Sequence, residues 1–196
     1  MTTNRHRNLP NQPRGLGLVE LLVALGVVGV LVAVALPAMS DFLERRRVIA
    51  VAGEINNIMA YAKAETNAMR FGVNVHMETD PNNQQSCVAV VTQTLGDDCK
   101  CYYTGSQICP TSGKLLRLFQ LPRTDNVSFT ATATTWGGLT QVVSFSRDLH
   151  QQVEQNVQIT VTGLRSGVQL RVELNEAGRS KICSPSGRVG GFATCV

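Results

Sequence analysis

An apolar run near the N-terminus constrains this chain more than any other feature. The run extends from Leu16 to Leu36, and Glu20 is its one charged residue. At the helical rise of ~1.5 Å per residue, a helix of that length is about 31 Å long. This matches the roughly 30 Å hydrocarbon core of a bilayer. The sequence therefore predicts one membrane-spanning helix close to the N-terminus.

Glu20 is out of place in such a helix. A carboxylate deep in lipid costs on the order of 2.5–3.5 kcal/mol on insertion scales, so it needs a partner or a shallow position. Glu20 is the fifth residue of the run, near the end where a free amine would arise if the chain were cut after Gly15. A plain membrane anchor leaves this acid unexplained.

A removable secretory signal is a further alternative. The chain starts with basic residues, and the segment 35–38 forms a loose small-residue cleavage site. The apolar region of such signals is usually about 7–15 residues long, however, and this run is longer. Its length and the acid inside it both disfavour a signal peptide.

The residues at the start of the run carry a family resemblance. Gly15 and the sequence Leu-Gly-Leu-Val-Glu-Leu-Leu at 16–22 resemble the cleavage and methylation motif of type IV prepilins and type II secretion pseudopilins. The resemblance implies that a prepilin peptidase removes the leader 1–15 by cutting between Gly15 and Leu16, and that Leu16 is N-methylated. Pro37 lies where the family commonly has a helix-kinking proline. The sequence departs from the motif at Leu16, where phenylalanine is usual, and at Gly17, where a hydroxyl residue is usual.

The same resemblance gives Glu20 a role as the acidic fifth residue of the mature chain. We expect its carboxylate to pair with the terminal amine of a neighbouring subunit in a bundle of such helices. Pairing neutralises two charges in an apolar environment, where breaking a pair is costly. It would also fix the axial stagger between subunits, which makes Glu20 the candidate assembly residue.

The cysteines indicate the side of the membrane on which the rest of the chain folds. Arginines stand on both sides of the span, so the positive-inside rule leaves its orientation open. All cysteines follow the span, and their even number favours disulfides in an oxidising compartment outside the cytoplasm. They are Cys87, Cys99, Cys101, Cys109, Cys183 and Cys195.

Zinc is the alternative use of these cysteines. Cys99-x-Cys101 with Cys109 could form part of a cluster, but the chain has no CxxC, and His76 and His150 lack ligand spacing. We therefore predict disulfides and no metal.

The sequence favours one disulfide pair and leaves the partners of the other cysteines open. Cys183 and Cys195 would close a loop of about a dozen residues, worth roughly 3 kcal/mol in the chain-entropy model. Cys101–Cys109 and Cys87–Cys99 are weaker pairings, because the short spacing between Cys99 and Cys101 leaves their partners open.

A second, amphipathic helical pattern continues beyond Pro37 to about residue 70. Its apolar residues recur at three- and four-residue steps, which places them on one helix face that should pack on a sheet. These residues are Val48, Ala52, Ile55, Met59 and Ala62. We expect the charged residues to lie largely off this stripe; they are Asp41, Glu44, Glu54, Lys63 and Glu65. Phe71-Gly72 should end the helix.

After Gly72 the apolar pattern changes to period two, which indicates β-strands. The predicted strands are 73–77, 87–93, 115–121, 127–133, 141–147, 157–162, 168–174 and 179–183, with a disulfide-stapled loop at 94–114. The predicted fold is therefore α+β: a long N-terminal helix packed on a C-terminal antiparallel β-sheet domain. Its parts are a leader (1–15), a transmembrane and assembly helix (16–37), an amphipathic helix (38–72) and a β domain (73–196).

The C-terminal part carries a second resemblance. Residues 167–183 are similar to the closing hairpin of the GspH/FimT group, in which a Gly-Arg-x-Arg element lies near the end. Here Gly178-Arg179-Ser180-Lys181 has lysine in place of the second arginine. In the FimT branch this element is associated with DNA capture during natural transformation. The resemblance implies a minor pilin or pseudopilin, with DNA binding as the alternative role.

The tail from Ala177 to Val196 has the charge that DNA binding would need. It contains Arg179, Lys181 and Arg188 and no acid. Such contacts would bind double-stranded DNA weakly, with a salt slope of about −0.9 per neutralised phosphate. The simpler interpretation is a solvated basic hairpin, since Phe192 is the one aromatic residue near enough to stack on a base.

Nothing in the sequence predicts an enzyme or a cofactor. Ser144 and Ser146 precede Asp148 and His150, but a catalytic triad is recognised by geometry and not by closeness in sequence. We predict a non-enzymatic structural subunit of a type IV pilus or type II secretion pseudopilus. It would be a single-pass protein of the Gram-negative inner membrane with a periplasmic C-terminal domain. Its partners would be the prepilin peptidase and other pilins, which contact its N-terminal helix.

Overall fold

The part of the chain that this computed structural model describes contains one long α-helix, eight strands and two short 3₁₀ segments. The described residues are 17–69, 71–92, 99–109, 113–132, 141–146, 157–175 and 177–195. The elements are α1 (Leu18–Ala68), β1 (Val73–Thr79), β2 (Gln85–Thr92), β3 (Leu115–Pro122), β4 (Val127–Thr132), β5 (Gln141–Phe145), β6 (Val157–Gly163), β7 (Gln169–Leu174) and β8 (Ser180–Cys183). The chain divides into a first unit that ends at Ser40 and a second unit, Asp41–Val196.

The described part of the first unit is apolar on every side. Its leucines and valines from Leu18 to Leu36 are exposed, and no residue of its most apolar window is buried. By length and composition this helix is able to cross a membrane. An unburied helix of this kind is stable only if lipid or other apolar helices surround it.

In the second unit α1 has one apolar stripe, as the sequence predicts. All five predicted stripe residues are buried, and Val51 and Ile58 widen the stripe. The stripe belongs to one hydrophobic cluster that also contains inward side chains of both sheets, among them Phe129 of β4 and Phe145 of β5. Burial of this face supplies most of the stability of such a helix, because intrinsic helix propensity contributes little.

The strands form two four-stranded antiparallel sheets, with orders β3-β2-β1-β5 and β4-β6-β7-β8. In β6 and β7 every second residue is buried, which is the alternation the sequence predicts. All eight predicted strands are present, with ends displaced by two residues or fewer within the described ranges. The predicted end residues 93, 133 and 147 lie outside the described residues.

Strands β1 and β2 do not show this alternation, because both of their faces are covered. A small second cluster lies on the outer face of β2 and consists of Cys87, Ala89 and Val91 with Cys99 and Cys101. The disulfide-bonded segment 99–109 therefore covers this sheet. On β1 the polar residues Asn74 and His76 are buried as well.

The observed disulfides confirm the favoured pair and differ from both of the weaker pairings. Cys183 is bonded to Cys195, the pair that the sequence favours. Cys101–Cys109 and Cys87–Cys99 are wrong, because Cys87 is bonded to Cys101 and Cys99 to Cys109.

The backbone of the loop explains this outcome. The amide of Lys100 donates to the carbonyl of Ile108 at 2.7 Å, which places Cys99 directly opposite Cys109. Cys101 follows two residues later along the loop and meets Cys87 on β2.

The expectation that Glu44 lies off the stripe is wrong. Glu44 is buried at the start of the stripe. Its side chain is four residues before Val48, on the same helix face, and the residue is only 3% exposed. Oε1 accepts a hydrogen bond from the backbone amide of Arg165 at 2.8 Å, and Oε2 accepts one from the amide of Ser166 at 2.9 Å. The carboxylate thereby satisfies two amides of the β6–β7 turn that would otherwise lack a partner.

Two further features belong to this contact, which we call the Glu44 clamp. A Cβ atom at Gly163 would lie 3.0 Å from the Glu44 carboxyl carbon, so the close approach needs glycine there. Burial opposes ionisation of Glu44, but the hydrogen bonds from Arg165 and Ser166 outweigh it and lower the pKa of the carboxyl.

The substitution Glu44→Gln should destabilise the protein by about 1–3 kcal/mol, because a charge-assisted bond is lost and an amide group faces a backbone donor. The measurement is urea denaturation of the detergent-solubilised full chain. Asp41→Asn, which removes an exposed acid three residues earlier, should change the free energy of unfolding by less than about 0.5 kcal/mol.

The lowered pKa of Glu44 predicts that the protein loses stability as the pH falls. A lowered folded-state pKa means that the clamp is fully formed above the ordinary glutamate pKa of about 4.3 and is lost as the pH falls through the lowered value. The difference in stability between Glu44→Gln and the unsubstituted protein should therefore shrink over that acidic range. An unchanged difference would contradict the clamp.

Candidate functional site

The first candidate site is the start of α1. Glu20 lies in the first helical turn and is exposed, and the amide of Leu21 donates to the carbonyl of Gly17 at 3.1 Å. The predicted cleavage and methylation residues, Gly15 and Leu16, lie outside the described residues. A carboxylate in the first turn is favoured by the helix dipole.

The surroundings of Glu20 are what make it chemically distinctive. Leu18, Val19, Leu21 and Leu22 flank it, and all four are exposed. A contiguous apolar surface of this extent marks a site that contacts lipid or other proteins. In such contact the carboxylate loses its water, so a cationic group is the partner that would best offset the cost of its burial.

The second candidate site is the basic hairpin of β7 and β8. The turn between these strands is held by the Asn175 side chain, whose Oδ1 accepts a hydrogen bond from the amide of Arg179 at 2.8 Å. Gly178 has a φ of +59°, a left-handed conformation that favours glycine at this place in the Gly-Arg element. The turn therefore leaves Arg179 exposed at the start of β8.

Lys181, the next basic residue of the element, has an acidic neighbour across the strands. Its Nζ lies 3.1 Å from Oε2 of Glu173 on β7, and Arg171 approaches the same carboxylate at 3.7 Å. The Lys181 side chain is 63% exposed and that of Glu173 13%. This pairing compensates part of the positive charge that the tail sequence suggests.

A surface depression of about 370 Å³ lies beside this hairpin. Arg179 and Lys181 line it together with Glu173, so its wall carries both signs of charge. The other lining residues are Val157, Gln158, Leu174, Asn175 and Ser180. Arg188 is exposed in the Cys183–Cys195 loop and is not among them, so the structure does not place all three predicted basic residues around one cavity.

The described residues offer no metal site of the thiolate type. Two groups of possible ligands lie close together, namely Glu78 with Cys87 and Cys101, and Glu173 with Cys183 and Cys195. The cysteines of both groups are in disulfides, and metal binding needs the thiolate. Of the residues considered for catalysis, Asp148 and His150 lie outside the described residues.

Two acids that matter in the structure were missed by the sequence analysis. Glu44 could have been found from its position four residues before Val48, which places it on the buried stripe. Glu173 could have been found from the register of the predicted hairpin, since it faces Lys181 directly across β7 and β8.

The N-terminal segment matches a known family model. Residues 10–36 match the prokaryotic N-terminal methylation motif. The type IV major alpha-pilin and the fimbrial protein Q of Moraxella bovis are each 36% identical to this chain over 45 residues. These alignments cover 23% of this chain and only 28% and 29% of the two curated relatives.

The fold matches that of a solved pilin. The crystal structure of the type IV minor pilin FimU of Pseudomonas aeruginosa (strain PAO1) superposes with a TM-score of 0.51 at 14% sequence identity. The match covers 74% of this chain and 94% of FimU. The chain therefore has an N-terminal methylation motif followed by a pilin-like fold, in which a long helix precedes antiparallel sheets. The predicted fold class is confirmed.

The Cys183–Cys195 disulfide should hold the basic hairpin in place. It spans 12 residues of sequence, and replacing both cysteines by serine should cost roughly 3 kcal/mol in the chain-entropy model. Hydrogen exchange of the β8 amides measures the effect and should become faster. The matched control is Cys99→Ser with Cys109→Ser, which opens a loop of similar size elsewhere and should leave β8 protected; equal loss in both variants would contradict a local role.

Proposed function

We propose that this protein is a minor pilin or pseudopilin of the GspH/FimT type. It would be a non-enzymatic subunit that helps to initiate or assemble a type IV pilus or a type II secretion pseudopilus. The observation that carries the proposal is the exposed helix that begins within the methylation motif, with one acid in its first turn, attached to a pilin fold. Such a helix is stable only in lipid or against similar helices, which are the two environments of a pilin before and after assembly.

Processing would create the partner that Glu20 needs. A prepilin peptidase cuts between Gly15 and Leu16, the leader 1–15 is lost, and Leu16 becomes the methylated N-terminal residue. The new amine of one subunit then pairs with Glu20 of its neighbour inside an apolar helix bundle. Because an unpaired charge there is costly, the pair favours one axial stagger between subunits.

The protein would be a single-pass inner-membrane protein whose second unit lies in the periplasm. The three disulfides among its described residues support this side of the membrane, because disulfides persist in oxidising compartments. Incorporation into a filament would then carry the second unit away from the membrane together with its helix.

The substitution Glu20→Ala tests the assembly role. In a deletion strain complemented with the variant, we expect at least a tenfold lower share of the chain in purified filaments, since breaking a buried pair costs about 3–5 kcal/mol. The membrane level of the protein should not change. Asp41→Asn, an exposed acid on the same helix, is the matched control and should assemble normally. Normal incorporation of Glu20→Ala would remove the proposed role.

DNA binding by the C-terminal hairpin is the second candidate function. The observation that favours it is the depression lined by Arg179 and Lys181, at the position of the Gly-Arg-x-Arg element. Glu173 opposes it, because this carboxylate repels phosphate and pairs with Lys181. Binding would therefore be weak and strongly salt-dependent.

Two opposite charge changes test DNA binding by the detergent-solubilised full chain. Arg179→Gln should weaken the retardation of double-stranded DNA and reduce the salt slope by about 0.9, whereas Glu173→Gln should strengthen retardation by freeing Lys181. Lys114→Gln is the control for a general loss of positive charge. Absence of retardation at low salt, or a weaker complex with Glu173→Gln, would remove this function.

A further inference from the structure

One end of the second unit is rich in arginine. Three exposed segments meet there: the arginines at 45–47 of α1, the short 3₁₀ segment Arg123–Asp125, and the β6–β7 turn with Arg165. Arg47 donates from Nη1 to the carbonyl of Asp125 at 3.1 Å. The amide of Leu164 donates to the carbonyl of Asn126 at 2.9 Å. With the Glu44 clamp, these bonds join the three segments into one surface, which we call the basic rim.

The basic rim also exposes large apolar side chains. Phe42 is 51% exposed, Leu43 49% and Leu164 38%. The guanidinium of Arg46 lies 4.9 Å from the centroid of the Phe42 ring, so a cation and an apolar group share one place on the helix. Leu164 is the first residue of a turn whose next residue is Arg165. Exposed apolar groups beside arginines are the composition of surfaces that lie in a membrane interface.

The acids near the basic rim do not cancel its charge. Asp41, Glu44 and Asp125 stand against five arginines, namely Arg45, Arg46, Arg47, Arg123 and Arg165. Glu44 is buried, its oxygens accept hydrogen bonds from two turn amides, and its charge also attracts that of Arg165, so it offsets part of the charge of one arginine. All five arginines are exposed. The surface is therefore positive and suited to an anionic partner.

The position of the basic rim in the sequence indicates which anionic partner it meets. Phe42 and Leu43 come six and seven residues after Leu36, the end of the apolar run, and the arginines at 45–47 follow immediately. A basic cluster next to a span is attracted to anionic lipid headgroups within a Debye length of the surface. The planar fork of arginine binds a phosphate oxygen pair with two parallel hydrogen bonds.

We propose that the basic rim docks on anionic phospholipid headgroups of the bilayer that α1 crosses. Arginines contact the lipid phosphates, and Phe42 and Leu164 enter the interface. Docking holds the second unit against the membrane until the subunit leaves for a filament. This inference rests on the proposed membrane anchorage but not on assembly, so loss of the Glu20 role would leave it intact.

The test uses the full chain in lipid nanodiscs. Leu164→Trp, with the single natural tryptophan replaced by Trp136→Phe, reports the position of the turn through quenching by lipids brominated near the headgroup. Nanodiscs of phosphatidylcholine alone give the baseline, because tryptophan itself prefers an interface. Nanodiscs that also contain phosphatidylglycerol should give stronger quenching, and high salt should return it to the baseline.

Two charge-matched double variants identify the basic rim. Arg45→Gln with Arg165→Gln should shift the equilibrium between docked and released turn about 30-fold toward release, since each arginine near an anionic surface contributes about fivefold. Lys100→Gln with Lys114→Gln removes the same charge elsewhere and should keep the added quenching. Thermal unfolding monitored by circular dichroism checks that each variant is folded.

The remaining outcomes overturn the inference. Equal quenching with and without phosphatidylglycerol would mean that anionic headgroups do not recognise the basic rim, and an equal loss in the two double variants would mean that the attraction has no defined site. Full quenching in the arginine variant would mean that the turn reaches the headgroups without these arginines, which would overturn the inference. A chain that does not co-purify with nanodiscs would refute the anchorage itself, which is a separate readout.

Discussion

The structure depends on a change of pattern within one helix. Up to Leu36 the side chains of α1 are apolar on every side and exposed, whereas from Val48 onward only one stripe is apolar and it is buried. The first pattern requires lipid or other helices around it, and the second requires a sheet. Both sheets contribute to the one cluster that covers the stripe. Two different environments are therefore already encoded in the order of residues along α1.

Much of this could be read from the sequence because periodicity reports burial directly. The stripe, the eight strands and the Cys183–Cys195 bond each follow from spacing along the chain. Asn74 and His76 are buried on β1, which their polar side chains do not predict. The other two disulfides depended on the loop register that the Lys100–Ile108 bond sets. Such registers arise from tertiary contacts and not from local sequence.

The surroundings of the charged residues were the hardest feature to predict, because each acid lies in a different environment in the structure. Glu44 is buried and remains ionised through two backbone amides. The charge of Glu173 is compensated by Lys181 on the adjacent strand β8 and by Arg171 on its own strand β7. Glu20 is exposed among apolar side chains, and we propose that its partner comes from another molecule. A sequence marks all three as acids, whereas their role depends on which donors the tertiary structure brings to them.

We propose that processing at Gly15 creates the amine that pairs with the Glu20 carboxylate of a neighbouring subunit. Mass spectrometry of the mature chain, purified from its native membrane, tests this most directly. We expect the mass of residues 16–196 with one added methyl group on Leu16 and with all six cysteines oxidised. A chain that retains its leader, or one trimmed beyond Ala38, would contradict it.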